Sequence, residues 1–379
     1  MQASLPTAAP LSGVRVLDLT RLLPGPLAAQ HLADLGADVI KVEDLGAGDY
    51  ANPAVRALVN HNKRAIRIDL KQAAGVDALL RLVRTADVLL EGFRPGVMAR
   101  LGLGYELLCE ANPRIVVCSL SGWGQTGPLR ELPGHDLNYA ALAGVTDQMA
   151  GLSNLPIADL LGGTMGAVMG TLAALFDAAR TGRGRWVDIA MADSVLAHAV
   201  LPLAALHQHG RVPRPGEGTL TGALACYGLY TTADGRQIAV GALERKFWDA
   251  MCATLGRPEL APLHRSGNAA TEARLRTELA ALFATQPLAH WAELFADAPA
   301  CVTPVLRLDE TLAHPHFQAR GMVVAGDPPQ LGCAVKMSGF VPAAPRPAPQ
   351  PGEHTDAVLA EAGLAAADIA ALRASGAVG

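Results

Sequence analysis

The stretch VRVLDLTRLLPGPLAAQHLADLGADVIKVE, residues 14–43, decides the fold. It opens with VRVLDL at 14–19, a short apolar and β-branched run, passes through a helical pattern over Ala28 to Leu35, and closes with DVIKVE at 38–43. Strand, helix and strand in about 30 residues make a βαβ unit, whose crossover is right-handed and whose strands run parallel. Working outward, AIRIDL at 65–70, a helix over Ala73 to Arg84, DVLLEG at 87–92 and RIVVCSL at 114–120 continue the alternation. Further along, RWVDIAM at 185–191 reads as another strand, followed by an apolar helix from about Ser194 to Leu206. This pattern predicts an α/β fold with a mainly parallel sheet covered by helices on both faces. Ligands of such sheets bind beyond the carboxyl ends of the strands. The polar ends Asp18 to Arg21, Glu43 to Asp49 and Glu91 to Arg94 are therefore where a site is expected.

Composition supports a large core: 379 residues, 50% hydrophobic, 17% charged, with a mean hydropathy of +0.24. That excludes a disordered chain, a fibre and a disulfide mini-protein. The net charge of −4 opposes the neutralisation of nucleic-acid phosphates, so no nucleic-acid partner is expected. The six cysteines are widely separated and form no CxxC pair, which reads as buried thiols in a reducing compartment. MQASLPTAAP at the start has neither a basic region nor a continuous apolar core, so no secretory signal and a cytoplasmic location are expected.

One segment tests the membrane alternative. Leu160 to Phe176 carries no charge, but it is shorter than the roughly 20 residues a spanning helix needs, and no membrane partner is expected. Gly162, Gly166 and Gly170 recur every four residues, a smooth stripe on a helix where another backbone or a ligand can approach. No GxGxxG follows the first strand and no P-loop occurs, which disfavours an NAD enzyme or an ATPase. His207-Gln208-His209 and His314-Pro315-His316 lack further ligands at metal spacing, so no metal is expected.

The run HGRVPRPGEGTLTG at 209–222 breaks every pattern and reads as a domain linker. Beyond it lie a hairpin turning at Ala233 to Arg236 and helices around 246–255, 271–284 and 288–296, a smaller α+β domain. The Pro-rich VPAAPRPAPQPGEHT at 341–355 predicts an extended strap. The expected division is a large domain from 1–208 and 335–379, a linker at 209–222, a small domain at 223–325 and a return linker at 326–355.

Several residues could carry chemistry. In PGHDLNYAALAG, 133–144, His135 and Asp136 follow a Pro-Gly turn and precede a helical pattern that Asp136 could cap. Asp159 opens the glycine-striped helix, and Glu244 ends an apolar strand in IAVGALERKFW. Arg94 in EGFRPG and Lys63-Arg64 in NHNKRAIRIDL are basic groups at strand ends, suited to phosphates. On the residues alone, a structural His-Asp pair and a surface carboxylate at Glu244 are the more ordinary readings, an N-cap explains Asp159 without catalysis, and a solvated charge is equally ordinary for the basic groups.

The order of motifs adds a second line of argument. LSGVRVLDLTRLLPGPLAAQHLADLGADVIKVE, NKRAIRIDLK, LLEGFRPGVMARLGLGYE, SGWGQTGP, PGHDLNY, ADLLGGTMG, RTGRGRWVDIAM, IAVGALE, ACVTPVL and GEHT form a collinear series over nearly the whole chain. The series resembles the family III CoA-transferase superfamily, and within it the α-methylacyl-CoA racemase branch.

The resemblance implies a Rossmann-like large domain with a parallel sheet, a smaller α+β domain, and an interlocked homodimer in which each active site joins the large domain of one subunit to the small domain of the other. It implies that coenzyme A lies along the large domain, with contacts from Arg94, the Lys41 region, Lys63 and Arg64. Within the racemase branch, His135 and Asp159 would be the two bases that flank the α-carbon of a 2-methyl-branched or 2-arylpropionyl thioester. The Asp136 backbone N–H would hold the enolate oxygen, and Glu244 would orient the His135 ring. No redox cofactor or metal would be needed, since coenzyme A enters as part of the acyl-CoA substrate. The transferases of the superfamily use the aspartate matching Asp159 as a covalent nucleophile, and a silent CoA-binding protein is a third possibility.

Overall fold

Runs such as Val88–Glu91, buried at every position, leave no polar face for water, and they form the middle of a sheet covered on both sides. The structure, a computed structural model, describes residues 8–46, 51–326 and 329–379. The chain divides into two units: Met1–Thr146 with Ser153–Ala199 and His316–Gly379, and Asp147–Leu152 with Val200–Pro315.

In the first unit the elements are β1 (Arg15–Asp18), α1 (Pro24–Asp34), β2 (Asp38–Glu43), α2 (Pro53–Val59), β3 (Arg64–Arg67), α3 (Ala73–Val83), β4 (Val88–Glu91), α4 (Val97–Arg100), α5 (Tyr105–Ala111) and β5 (Val116–Ser121). They continue as α6 (Asp136–Leu142), a π-helical segment (Ala158–Met165), α7 (Gly166–Thr181), β6 (Trp186–Ala190) and α8 (Met191–Ala197). All six strands pair in parallel in the order β3-β2-β1-β4-β5-β6, the doubly wound order of Rossmann-like sheets. Alternation along each strand divides the core. Val16, Val39, Val88 and Val116 face α1 and α7, whereas Leu17, Ile40, Leu89 and Val117 face the cluster that includes Leu79, Leu82 and Leu108. A Leu79→Ala change on that second face would cost about 2–5 kcal/mol.

The π-helical segment and α7 form one helical stretch, Ala158–Thr181, long and apolar enough by length and composition to cross a membrane. Here its glycine stripe packs within the first unit. A Cβ on Gly162 would lie 2.6 Å from the Met191 carbonyl oxygen, and one on Gly170 would lie 2.7 Å from Val187. The stripe lets this helix press directly on β6 and the start of α8.

The expected helix from Ser194 to Leu206 is two helices, α8 and α9 (Val200–His209), with the unit boundary between them. Pro202 accounts for the break, because a proline ring clashes with the carbonyl four residues earlier, here that of His198. Residues 200–222 therefore belong with the second unit. That unit is an antiparallel sheet of β7 (Tyr227–Thr231), β8 (Gln237–Gly241) and β9 (Val302–Pro304), with α10 (Arg245–Thr254), α11 (Ala269–Phe283) and α12 (Leu288–Leu294) around a core of Trp248, Phe283 and Trp291.

The Pro-rich strap differs from its expected role as a crossing. The chain has rejoined the first unit by His316, and the strap is bonded to that unit's surface. Arg346 N–H donates to Asn62 Oδ1 at 2.8 Å, Arg56 donates to the Pro349 carbonyl at 2.8 Å, and His354 N–H donates to the Ala65 carbonyl at 2.8 Å. The cysteines also depart in part from expectation: Cys118, Cys226 and Cys252 are buried, but Cys301 is exposed.

Candidate active site

The carboxyl ends of β1, β4 and β5 open into a cavity of about 530 Å³, lined by residues of the first unit that include Arg21, Phe93, Arg94, Trp123, His135, Tyr139 and Asp159. His135 and Asp159, remote in sequence, thus face one space. His135 occupies the N-cap position of α6 in extended conformation, and its side chain is exposed.

Asp136 does not cap α6 as expected but stands at its first helical position. Its carboxylate turns to the next element, where Oδ1 accepts from the Ala158 N–H at 2.6 Å and from the Asp159 N–H at 3.0 Å. It therefore satisfies two of the donors that any helix start leaves unpaired, and those donors belong to the π-helical segment that carries Asp159. Nor is Asp159 the N-cap of that segment, a position held by Ile157. Its half-buried carboxyl is free of capping duty and reaches the cavity. Burial, reinforced by the negative charge of Asp136 and opposed by His135, pushes the Asp159 carboxyl up to about 6.

Of the basic residues read as phosphate contacts, only Arg94 reaches this cavity. Lys41 and Lys63 point inward and are buried beside Asp18. Lys63 Nζ donates to Asp18 Oδ2 at 2.8 Å, to Asn60 Oδ1 at 2.9 Å and to the Pro26 carbonyl at 2.7 Å, while Lys41 Nζ lies 3.7 Å from Asp18 and donates to the Thr20 carbonyl. Burial would raise the Asp18 carboxyl, but the two ammonium groups outweigh it and hold it down at about 2. These lysines brace the sheet edge, because a phosphate could reach them only by leaving Asp18 buried and uncompensated. Arg64 is likewise committed, to Asp38 at 2.7 Å and Glu361 at 2.7 Å.

A second cavity of about 300 Å³ adjoins the ends of β1 to β3, lined by Arg21, Glu43, Asp44, Lys71 and Phe93 among others. Arg21 and Phe93 line both cavities, with the guanidinium 5.2 Å from the ring centre. Lys71 was not singled out from the sequence; its place just past the third strand was the available signal. Asp49, part of the expected polar end, lies outside the described residues. Glu91, at the end of β4, was seen only as part of a strand end. Burial pushes its carboxyl up to about 7, and Oε2 accepts from the Phe93 N–H at 2.8 Å.

Glu244 belongs to the second unit, where it is the exposed N-cap residue of α10 and its side chain makes no capping bond. Among the described residues, no group of three or more His, Cys, Asp or Glu side chains is placed to hold a metal ion.

Residues 11–355 match the sequence profile of CoA-transferase family III. The chain belongs to this family. It is 36% identical over 370 residues to the mouse protein named alpha-methylacyl-CoA racemase, covering 95% of each chain. It is also 32% identical to the human succinyl-CoA:glutarate CoA-transferase, covering 95% of this chain and 87% of that protein. A crystal structure of a CAIB/BAIF family protein from Brucella suis superposes with a TM-score of 0.82 and 28% identity, over 94% of this chain and all of that one. The relatives of this chain thus include proteins named as a racemase and as a CoA-transferase.

Asp136→Asn keeps the acceptor oxygen for Ala158 and Asp159 but removes the charge that raises Asp159. Its expected outcome is an Asp159 titration, followed by carboxyl NMR, that moves down from about 6 toward the ordinary carboxylate range with the fold retained. An unchanged titration would show that burial alone sets it.

Proposed function

We propose that this family III chain is a racemase that inverts the α-carbon of 2-methyl-branched acyl-CoA thioesters. The observation that carries the reading is an imidazole and a carboxyl raised to about 6, that of Asp159, on the walls of one cavity. Inversion removes the α-proton from one face and delivers another to the opposite face, so it needs two groups, one protonated and one not. A carboxyl raised to about 6 is protonated in roughly one molecule in ten at pH 7, enough to serve as acid in one direction while remaining a base in the other. The proton taken from the α-carbon leaves an enolate, whose oxygen is assigned to the Asp136 N–H, a first-turn donor of α6. One such aimed donor is worth about 2.7–4 kcal/mol in the transition state. The coenzyme end of the substrate is assigned to the neighbouring cavity, where Arg21 and Lys71 supply positive charge. The orienting role of Glu244 toward the His135 ring, implied by the resemblance, is part of the same proposal. No metal or redox group takes part.

The homodimer belongs to this proposal as well. Met165, Met169 and Phe176, spaced four and seven residues apart, leave 50%, 69% and 67% of their surfaces exposed along one helical face. Such a stripe is costly to leave in water, and a second copy of the chain is the partner that the racemase reading calls for. Sedimentation equilibrium is expected to give twice the 39.3 kDa chain mass, and Phe176→Glu to shift the mass toward a single chain. A single-chain mass for the wild type would overturn this part.

The transferase reading has one specific observation behind it, since the Asp159 carboxyl that could act as base also has open access to the cavity as a nucleophile. The two readings part in D₂O. A single epimer of a branched acyl-CoA should take up α-deuterium and epimerise, and either His135→Ala or Asp159→Ala should lower inversion at least about a thousand-fold. For the wild type, kcat/KM should fall as pH drops through about 6, where the Asp159 carboxylate is lost, and it should do so identically for both epimers. The two one-proton states of the pair differ only in where the proton sits, hence the shared profile. Hydroxylamine capture of an Asp159 adduct, with activity that survives His135→Ala, would instead establish the transferase.

A further inference from the structure

The Gly134–His135 peptide is held at both ends by side chains that the proposed chemistry leaves unused. Its N–H donates to Asn138 Oδ1 at 3.1 Å, and its carbonyl accepts from the Tyr139 hydroxyl at 2.5 Å. A peptide unit is rigid and can turn only as a plane about its flanking Cα atoms, a motion that redirects its N–H and C=O together. Glycine on one side makes such a turn cheap, because a glycine can pass through backbone conformations closed to other residues. The plane that carries His135 therefore needs a restraint against flipping. Two opposed bonds from successive residues of α6 prevent it, since any large rotation breaks both.

Tyr139 is itself fixed. A Cβ on Gly122 would come within 2.1 Å of its ring, and one on Gly134 within 2.6 Å, so the ring fills space that only glycines leave open. Trp123 packs edge-on against it, with ring centres 4.9 Å apart and planes at 86°. Tyr139 is buried, with 7% of its surface exposed, and its ring has no other seat in this packing.

We infer that Asn138 and Tyr139 lock the Gly134–His135 peptide, and that they are positioning residues which aim the His135 imidazole into the cavity. The inference rests on the racemase reading for its consequence and on backbone geometry for its content. A freed peptide turns the Cα–Cβ direction of His135, and displacement of a reacting group by about 1 Å can cost 100-fold in rate.

Tyr139→Phe keeps the ring and removes the hydroxyl, Asn138→Ala removes the acceptor, and Asn138→Asp keeps an acceptor oxygen. With each epimer supplied separately in D₂O, Tyr139→Phe and Asn138→Ala are expected to lower kcat for inversion by about 10- to 100-fold, with KM within about twofold of wild type. Exchange at the face served by Asp159 should persist, Asn138→Asp should recover most of the rate, and the double variant should be little worse than either single one, because each opens the same lock. Equal loss of exchange at both faces, a parallel rise in KM, strictly additive losses or wild-type rates would each overturn the lock. If the wild type inverts no branched thioester, the failure belongs to the proposed activity. The lock is then read by amide hydrogen exchange at His135 in the full chain labelled with ¹⁵N-histidine: slow in wild type, and fast in Tyr139→Phe and Asn138→Ala. Equal exchange in all three would overturn it.

Discussion

The hydrogen bonds from the Ala158 and Asp159 N–H groups to the Asp136 carboxylate are the constraint on which the site depends. They tie the start of α6, which carries His135, to the start of the π-helical segment, which carries Asp159, across more than 20 residues of intervening chain. Hydrogen bonds to a charged acceptor contribute about 1.5–3 kcal/mol each, enough to fix the relative placement of two loop-to-helix junctions. The same carboxylate also tunes what it positions. Its negative charge adds to burial in raising Asp159, so one side chain both holds the Asp159 carboxyl at the cavity and keeps part of it protonated near neutral pH.

The sheet supplies the platform for this arrangement. Its parallel strands end together at one edge, and the loops after β1, β4 and β5 supply one wall of the cavity. Beneath that edge, Asp18, Lys41 and Lys63 form a buried charged cluster that joins β1 to β2 and to the approach of β3. Removing Asp18 would leave two buried ammonium groups uncompensated, and breaking such a buried pair typically costs about 3–5 kcal/mol. The edge that bears the cavity is therefore held by buried ions below and by the α6 to π-helix connection above. Between them, the π-helical backbone departs from ordinary helical pairing at the residue whose side chain has to enter the cavity, a recurrent use of such segments.

The strands were legible because each is a short apolar run bounded by turn residues, and Asp38–Glu43 falls where DVIKVE placed it. That His135 and Asp159 line one cavity was legible only through the order of motifs, since no periodicity links positions that far apart. The lysines were misread for a physical reason: a lysine at a strand end looks the same in sequence whether its ammonium faces solvent or turns inward, and it takes the buried Asp18 to decide. Asp136 was read as the cap of its own helix because local rules see only the nearest N–H groups, whereas its carboxylate serves a helix start 22 residues away. Asn138 and Tyr139 were visible only as members of the PGHDLNY motif, and their bonding is hidden from sequence because their partners are backbone atoms rather than side chains. The domain crossings were placed too late, because proline density marks an extended strap without telling what it lies against.

The central claim is spatial, and a crystal structure with a branched acyl-CoA whose α-carbon is flattened as in an enolate tests it most directly. The account predicts the His135 imidazole and the Asp159 carboxyl on opposite faces of that carbon, each close enough for proton transfer, with the thioester oxygen at the Asp136 N–H. Both groups on one face, or the α-carbon beyond the reach of either, would contradict it.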